Sequence, residues 1–483
     1  MSEIAKLTPQ AMWGIFEEIL RVPRPSKKEG KIIAYLEDFA RRHGLEYKKD
    51  AIGNIMMRRA ASPSMKDRPV VVLQSHMDMV CEKNSDVVFD FDNDPIQAYI
   101  DGGWVKARGT TLGADDGIGM AAALAVMIDK ELELPEIESL FTVDEETGLT
   151  GAFELGKDMI TGKYLINLDS EDEGEIFIGC AGGVDTLATF GYKEEPVPAG
   201  HVLYRVDVKG LKGGHSGDDI DKGLGNANKL LTRLLWNGMR HAGLRLAHFD
   251  GGNLRNAIPR EAYAIIAIPA DKKAAFGELF EKFAADIKAQ YKVTEPNLEA
   301  MCVETQHAKH VMDEKSATRL VDALQGVPNG VLAMSFAMPG LVETSTNLAS
   351  VKTSAGKVVV TTSQRSSVDG ARFDAAASVE SVLSLAGASV VHSDGYPGWN
   401  PDPSSALLKI AEEQYKKLFG NEPIVRAIHA GLECGLFLEK YPHLEMISIG
   451  PTLRGVHSPD ERLEISTVDK FWKHLVAVLE NIR

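Results

Sequence analysis

Five side chains in this sequence are of the types that a pair of divalent metal ions would need: His76, Asp115, Glu146, Asp169 and His457. Two imidazoles and three carboxylates are hard-to-borderline donors. They suit Zn2+, Co2+ or Mn2+ and not Cu(I) or an iron–sulfur cluster. Asp115 can bridge two ions. Three carboxylates and a bridging hydroxide would then balance two divalent cations, the neutrality that a buried centre requires. Such ions lower the pKa of the bridging water and polarise a carbonyl. Glu145 is not needed as a ligand, so it is free to act as general base and to hand the proton to a leaving amine. Asp78 follows His76 by two residues, where a carboxylate behind a ligating imidazole fixes its tautomer and raises its basicity.

The elements that must carry these groups are legible in the same stretches. Val71-Val72-Leu73-Gln74-Ser75 is a β-branched apolar run that ends in His76-Met77-Asp78, and alternation puts His76 and Asp78 on one side of the strand exit. Glu138–Val143 reads as a second buried strand leading into Asp144-Glu145-Glu146, and Tyr164–Asn167 as a third leading into Asp169. Asp115 and Asp116 open a stretch, Met120–Met127, that is apolar on nearly every side and so predicts a buried helix. Each feature alone has a plainer reading: helix N-caps at 115 and 116, a solvated acidic turn at 145 and 146, a surface imidazole at 457. Carboxylates after three apolar strands, with an acidic helix entry, form a pattern, because ligands collect at the carboxyl ends of strands in open α/β sheets.

The rest of the chain reads as follows. Thr8-Pro9 predicts a helix start with Thr8 as N-cap, and a second helix spans about Lys27 to Arg42, closed by Gly44. Strands are expected near Tyr47 and Ile55–Met57. From about Val184 the character changes to α+β. Strands are expected at Val202–Val208, Leu244–Phe249, Ala262–Ile268, Ser345–Thr353, Lys357–Arg365 and Ser389–His392. Helices are expected near Leu224–Trp236, Lys272–Gln290 and Ala375–Leu385, enough for two similar sheet-and-helix halves. A helix near Ser404–Leu418, strands near Ile424–Ala427 and Glu445–Gly450, and a last helix capped by Ser466 and Asp469 return to the first pattern. The middle segment is therefore an insertion.

The bulk properties fit an ordinary globular chain: 483 residues, 44% hydrophobic, 25% charged, too long for one core. A net charge of −16 argues against nucleic acid or an anionic membrane as partner. The four cysteines are far apart, which points to a reducing compartment, and the first residues lack a signal-peptide pattern. A cytoplasmic location is expected.

Taken together, the motifs resemble those of the dizinc exopeptidases of the carboxypeptidase-G and dipeptidase-V type, over essentially the whole chain. The resemblance rests on His76-Met-Asp78-Met-Val, Gly109-Thr-Thr-Leu-Gly-Ala-Asp115-Asp-Gly-Ile-Gly, Glu145-Glu146, Asn167-Leu-Asp169-Ser-Glu, Lys212-Gly-Gly-His215-Ser-Gly, Leu254-Arg-Asn-Ala-Ile-Pro-Arg-Glu, His429-Ala-Gly-Leu-Glu-Cys-Gly-Leu-Phe and Val456-His457-Ser-Pro-Asp-Glu461. It implies an α/β fold in which a catalytic domain with a mixed central sheet flanked by helices, residues 1–185 and 398–483, is interrupted by an α+β lid domain, 186–397. It implies two divalent ions per subunit, Zn2+ with Co2+ or Mn2+ as alternatives. One would be held by His76, Asp115 and Asp169, the other by Asp115, Glu146 and His457. Glu145 would be the general base, and Asp78 would orient His76. Asp169 stands where related deacylases and carboxypeptidases often carry Glu. A cis peptide is expected after Asp115. Asp116 departs from close relatives, which often have Asn, so an extra carboxylate lies beside the metals.

From the lid, the resemblance implies that His215 polarises the scissile carbonyl, that Asn256 and Arg365 reach the substrate, Arg365 by a bidentate fork on the terminal carboxylate, and that His429 and Glu433 either recognise the amino end or form a buried structural pair. The expected activity is hydrolysis of unblocked dipeptides, including those ending in His, by a homodimer. A deacylase of N-acyl amino acids and a peptide-binding protein without catalysis are the alternatives, the second disfavoured by the intact Glu145.

Overall fold

The structure is a computed structural model that describes residues 3–483. The chain divides into two compact units, one of residues up to 179 with 401–427 and 432–483, the other of 180–400 with 428–431.

The first unit is built on an eight-stranded sheet in the order Glu46–Lys49, Ile55–Arg59, Ile137–Thr142, Val71–His76, Tyr164–Asn167, Glu445–Ser448, Glu175–Cys180, Ile424–Ile428. The four central strands run parallel, with Thr142 level with His76 and Asn167 level with Gln74 and Ser448. Val71–His76, Ile137–Thr142 and Tyr164–Asn167 are buried at every position, as parallel strands covered on both faces must be. Their few polar residues are paired. Glu138 accepts from Arg58 at 2.8 Å, from the Thr161 N–H at 2.7 Å and its hydroxyl at 2.8 Å, and from the Gly162 N–H at 3.1 Å. Ser448 donates to Asn167, and Asn167 donates to Gln74 at 2.6 Å, forming a polar ladder across the strands. The helix Ala114–Ile128 connects Val71–His76 to Ile137–Thr142 and is buried almost throughout. A smaller sheet pairs Leu453–Arg454, Arg462–Glu464, Trp104–Ala107 and Ala98–Asp101.

The second unit contains a nine-stranded sheet, ordered Glu299–Glu304, His201–Lys209, Ala262–Pro269, Arg245–Gly251, Val342–Ser354, Lys357–Ser366, Gly182–Gly191, Ser389–His392, with Gly330–Met334 also on Val342–Ser354. The two expected halves are therefore one sheet. They join at a narrow seam, where Asp250 and Gly251 pair with Lys352 and Val351 and the Lys352 ammonium lies 2.8 Å from Asp250. Helices Ala227–His241, Lys273–Gln290, Glu314–Gly326 and Asp369–Leu385 bury their apolar faces in this unit's core. The Lys229 ammonium donates to the carbonyls of Leu324, Gln325 and Val327, which closes the C-terminal end of Glu314–Gly326.

Several local expectations are corrected. The first long helix is Gln10–Leu20 with Pro9 at the cap position and no side-chain cap, and Thr8 instead offers its carbonyl to the Trp13 indole N–H. The second helix starts at Gly30, after a turn in which Lys27 takes φ 66° and its N–H donates to Glu29. The last helix, Ile465–Glu480, has no side-chain cap, since the Ser466 hydroxyl donates to Glu464.

Candidate active site

The carboxyl ends of the central parallel strands bring the candidate residues together. Val71–His76 ends on His76, with Asp78 two residues on; Ile137–Thr142 delivers Glu145 and Glu146; Tyr164–Asn167 delivers Asp169. Asp115 enters at the head of Ala114–Ile128, and His457 sits on the loop between the two last strands of the smaller sheet. Asp115 lies at the middle: one carboxylate oxygen is 2.9 Å from His76 Nε2 and the other 3.1 Å from His457 Nε2. Asp169 Oδ1 approaches His76 Nε2 to 3.5 Å, and Glu146 Oε2 approaches His457 Nε2 to 3.0 Å. Two half-sites thus share Asp115.

Asp78 organises what lies behind. Its Oδ1 stands 3.4 Å from His76 Nδ1 and accepts the Glu145 N–H at 3.0 Å; its Oδ2 accepts the Ser26 hydroxyl at 2.7 Å and the Glu146 N–H at 3.3 Å. One carboxylate thereby faces the imidazole and pins the turn that carries both glutamates. Asp115 and Asp116 part company at the cis peptide between them. Both have non-helical backbone angles, so the carboxylate that caps the helix is that of Asp116, which accepts the Gly119 N–H at 3.1 Å. Asp115 is left to the cluster.

The electrostatics describe a site short of cations. Burial would raise Asp115, but His457 and His76 hold it well below the usual carboxylate range. Hydrogen bonds to Asp115 and Glu146 push the His457 imidazole up to about 11. Burial disfavours a charged His76, yet Asp169 and Asp115 raise it well above its ordinary value. Asp169 is pushed up to about 7 by burial, against the pull of His76. Burial likewise raises Glu145 and Asp116 well above the usual range. Donor sets of this kind give up protons when a metal ion binds. Glu146 Oε1 is buried with no hydrogen-bond partner among the described residues, and His76, Asp115 and Glu146 offer ligand atoms within 4.8 Å of one another. The residues present fit a metal.

Glu433 lies beneath the strand ends, 2% exposed, accepting from Gln74 at 2.6 Å and from the Thr142 hydroxyl at 2.8 Å; its other oxygen has no partner. Burial pushes its carboxyl up to about 8.

The other expected contacts belong to the second unit. His215 and Asn256 are neighbours: His215 pairs with Ala257 in a two-stranded ribbon, and the Asn256 carbonyl accepts the Ser216 N–H at 2.8 Å. The His215 Nδ1 faces the N–H groups of Gly217 and Asp218 at 3.3 and 3.2 Å and the Asp218 carboxylate at 3.4 Å. Buried Arg365 donates to Tyr396 at 3.0 Å and to Ser216 at 3.3 Å. His429 bonds Ser345 at 2.8 Å and is pushed down to about 4 by burial and by Arg365.

The peptidase family M20/M25/M40 model matches residues 72–481. The chain belongs to that family. It is thus a hydrolase of peptide bonds, from a family of metal-dependent peptidases. It is 44% identical over 482 residues to the cytosol non-specific dipeptidase of Escherichia coli (strain K12), covering 100% of this chain and 99% of the relative. The crystal structure of aminoacylhistidine dipeptidase from Vibrio alginolyticus superposes with a TM-score of 0.94 at 45% identity, over 100% of this chain and 98% of that one. An aminopeptidase of Bacillus cereus, 16% identical with a TM-score of 0.56 and covering 99% of both chains, shares the fold.

Two buried charged residues near the cluster, Arg24 and Glu461, do not stand out in the sequence as site residues. Arg24 is flanked by Pro23 and Pro25, and Glu461 closes the His457 motif. A charge between two prolines at a helix end was the available signal.

Proposed function

We propose that this chain is a dipeptidase that uses two divalent metal ions, Zn2+ with Co2+ or Mn2+ as alternatives, to hydrolyse unblocked dipeptides of broad sequence, those ending in His included. The observation that carries the reading is the Asp115-centred cluster at the strand ends, in a chain matched along its whole length by relatives named as dipeptidases. His76, Asp115 and Asp169 would hold one ion, and Asp115, Glu146 and His457 the other. When bound, the ions supply an acidified water and polarise the scissile carbonyl. Glu145 would take the water's proton and return it to the leaving amine. Asp78 keeps His76 and the Glu145–Glu146 turn in register. From the second unit, His215 serves the oxygen on which charge develops. Arg365 takes the terminal carboxylate by its fork, and Asn256 contacts the peptide. His429 and Glu433 address the amino end. The enzyme is cytoplasmic and a homodimer. Among the described residues no helix is long and apolar enough to cross a membrane.

The test compares hydrolysis of β-Ala-His, Gly-His, a tripeptide and an N-acetyl amino acid by chelated protein, by protein resupplied with Zn2+, Mn2+ or Co2+, and by Glu145→Ala. Metal-dependent cleavage confined to dipeptides and lost in the variant is expected. Cleavage of the acetylated compound alone would make the chain a deacylase, and silence on all four with metal bound would leave a binding protein. Light scattering at micromolar concentration tests the dimer.

A further inference from the structure

The Asp115 carboxylate has to lie between two imidazoles that approach it from opposite sides, at 2.9 and 3.1 Å. The backbone that delivers it, Leu112–Asp115, has Gly113 at φ 70° and non-helical angles at Asp115. Its four N–H groups and the Gly113 carbonyl are nevertheless taken by two buried side chains. Glu461, 2% exposed, accepts four of its N–H groups: Leu112 at 2.7 Å and Gly113 at 2.9 Å on Oε2, Ala114 at 2.7 Å and Asp115 at 3.3 Å on Oε1. On the other side Arg24, 1% exposed, donates to the carbonyl of Gly113 with one nitrogen. With the other it donates to the carbonyls of Met77, at 3.1 Å, and Asp78.

We propose that Glu461 and Arg24 are the positioning residues of the metal centre: an anion grips the N–H side of the Asp115 loop, a cation grips its carbonyl side, and each ties the loop to a segment carrying another ligand. Glu461 follows His457 by four residues, and its own segment is anchored on both sides. The Glu461 N–H bonds the Ser458 carbonyl at 3.0 Å, and Arg462–Glu464 pairs with Trp104–Lys106. Arg24 binds the two residues directly after His76. Displacing either grip therefore shifts Asp115 relative to one imidazole. Both charges are buried, and each is matched by many partial charges of the backbone, the condition under which a buried ion is tolerated. The glycines in this loop make room for the cation. A Cβ at Gly113 would come within 2.8 Å of Arg24 Nη2, and one at Gly117 within 2.7 Å.

The inference rests on the reading that Asp115 holds ions, and the test separates the two. Zn2+ affinity is measured by competition with a chromophoric chelator for wild type, Asp115→Asn, Glu461→Gln and Glu138→Gln, alongside melting temperatures of the chelated proteins and the absorption spectrum of Co2+ bound to each. Glu138 is the matched control. It is a fully buried carboxylate with four donors, at the far end of the strand Ile137–Thr142 from Glu145. The side-chain amide in Glu461→Gln would keep the volume but aim an NH2 group at backbone N–H groups that need an acceptor. Glu461→Gln is expected to lose about 10- to 100-fold in Zn2+ affinity, with an altered Co2+ spectrum. Glu138→Gln is expected to lower the melting temperature and keep both. Equal affinity in the two glutamine variants would overturn the proposal. Wild-type affinity in Asp115→Asn would overturn the metal-site reading itself. If Glu461→Gln does not fold, Arg24→Lys, which keeps the charge and loses the fork, and Glu461→Asp are compared with the same control, and affinity equal to that of Glu138→Gln overturns the proposal.

Discussion

At the scale of single residues, the contrast between neighbours is the most informative feature. Glu145 and Glu146 are adjacent, yet only Glu146 reaches His457, at 3.0 Å, while Glu145 takes no part in the His–carboxylate contacts. Replacing Glu145 by Gln should lower kcat by about 10²- to 10⁴-fold, the usual contribution of a general base. Metal content and KM should stay near wild type. Steady-state kinetics with metal analysis of the same sample checks this, and a variant that loses metal instead would make Glu145 a ligand. Arg365 makes a different kind of prediction. Its guanidinium is oriented by Tyr396 and Ser216, and a lysine cannot reproduce a planar fork. Arg365→Lys should raise KM for free dipeptides by about tenfold or more. The preference for a dipeptide over its C-terminal amide should shrink in parallel; an unchanged preference would remove Arg365 from carboxylate binding.

At the scale of elements, the site depends on strand ends that are packed without slack. A Cβ at Gly450, just beyond Glu445–Ser448, would lie 1.7 Å from the Ser170 carbonyl oxygen. Gly450→Ala must therefore push apart the segments that lead to His457 and Asp169. The cost should be about 1–3 kcal/mol, as for other overpacked sites. A lowered melting temperature together with weaker metal binding is expected, and a full-strength metal site in a destabilised protein would show that the two segments move independently. The terminal helix supplies a pH dependence. His474 is 5% exposed, bonds the Ala411 carbonyl at 2.9 Å, and is pushed down to about 4 by burial. Its folded form is neutral while the unfolded chain protonates near its ordinary value. Its contribution is thus complete above pH 6.5 and is lost as the pH falls from 6.5 towards about 4. The full loss is about 3 kcal/mol at 1.36 kcal/mol per unit. His474→Gln should flatten the fall in melting temperature between pH 7 and pH 5, and an unchanged slope would assign the acid sensitivity elsewhere.

At the scale of the whole molecule, the carboxylate-rich cluster makes the stability of the first unit conditional on cations. Any ligand that binds only the folded state stabilises it, by about 2.7 kcal/mol at a hundredfold excess over Kd. Chelation should therefore lower the melting temperature, and Zn2+, Co2+ or Mn2+ should restore it in an order that follows their affinities. Calorimetry on the full chain checks this. A chelated protein that melts like the metal-supplied one would mean that the cluster tolerates its own charge without ions.

The chemistry of this protein was present in local sequence. The apolar run at 71–76 ends in His76 and those at 137–142 and 164–167 lead into carboxylates within a few residues, and strand ends follow from patterning. Pairing those ends side by side needed only a parallel sheet. What local patterning could not decide is which member of an adjacent pair faces inward. Asp115 and Asp116 have the same chemistry, and it is Asp116 whose carboxylate is taken up by the Gly119 N–H. Most strands of the second sheet were legible, but Gly182–Gly191 was not: it opens on Gly182-Gly183, whose pairing with Arg365 and Ser366 is set by a partner nearly two hundred residues away. Arg24 and Glu461 are the clearest case. Glu461 meets the Asp115 N–H across 346 positions of sequence, and a buried charge looks like any surface charge until the backbone that neutralises it has folded around it. Residue types therefore determined which reaction this chain can serve, and tertiary structure alone determined which side chains hold still enough to serve it.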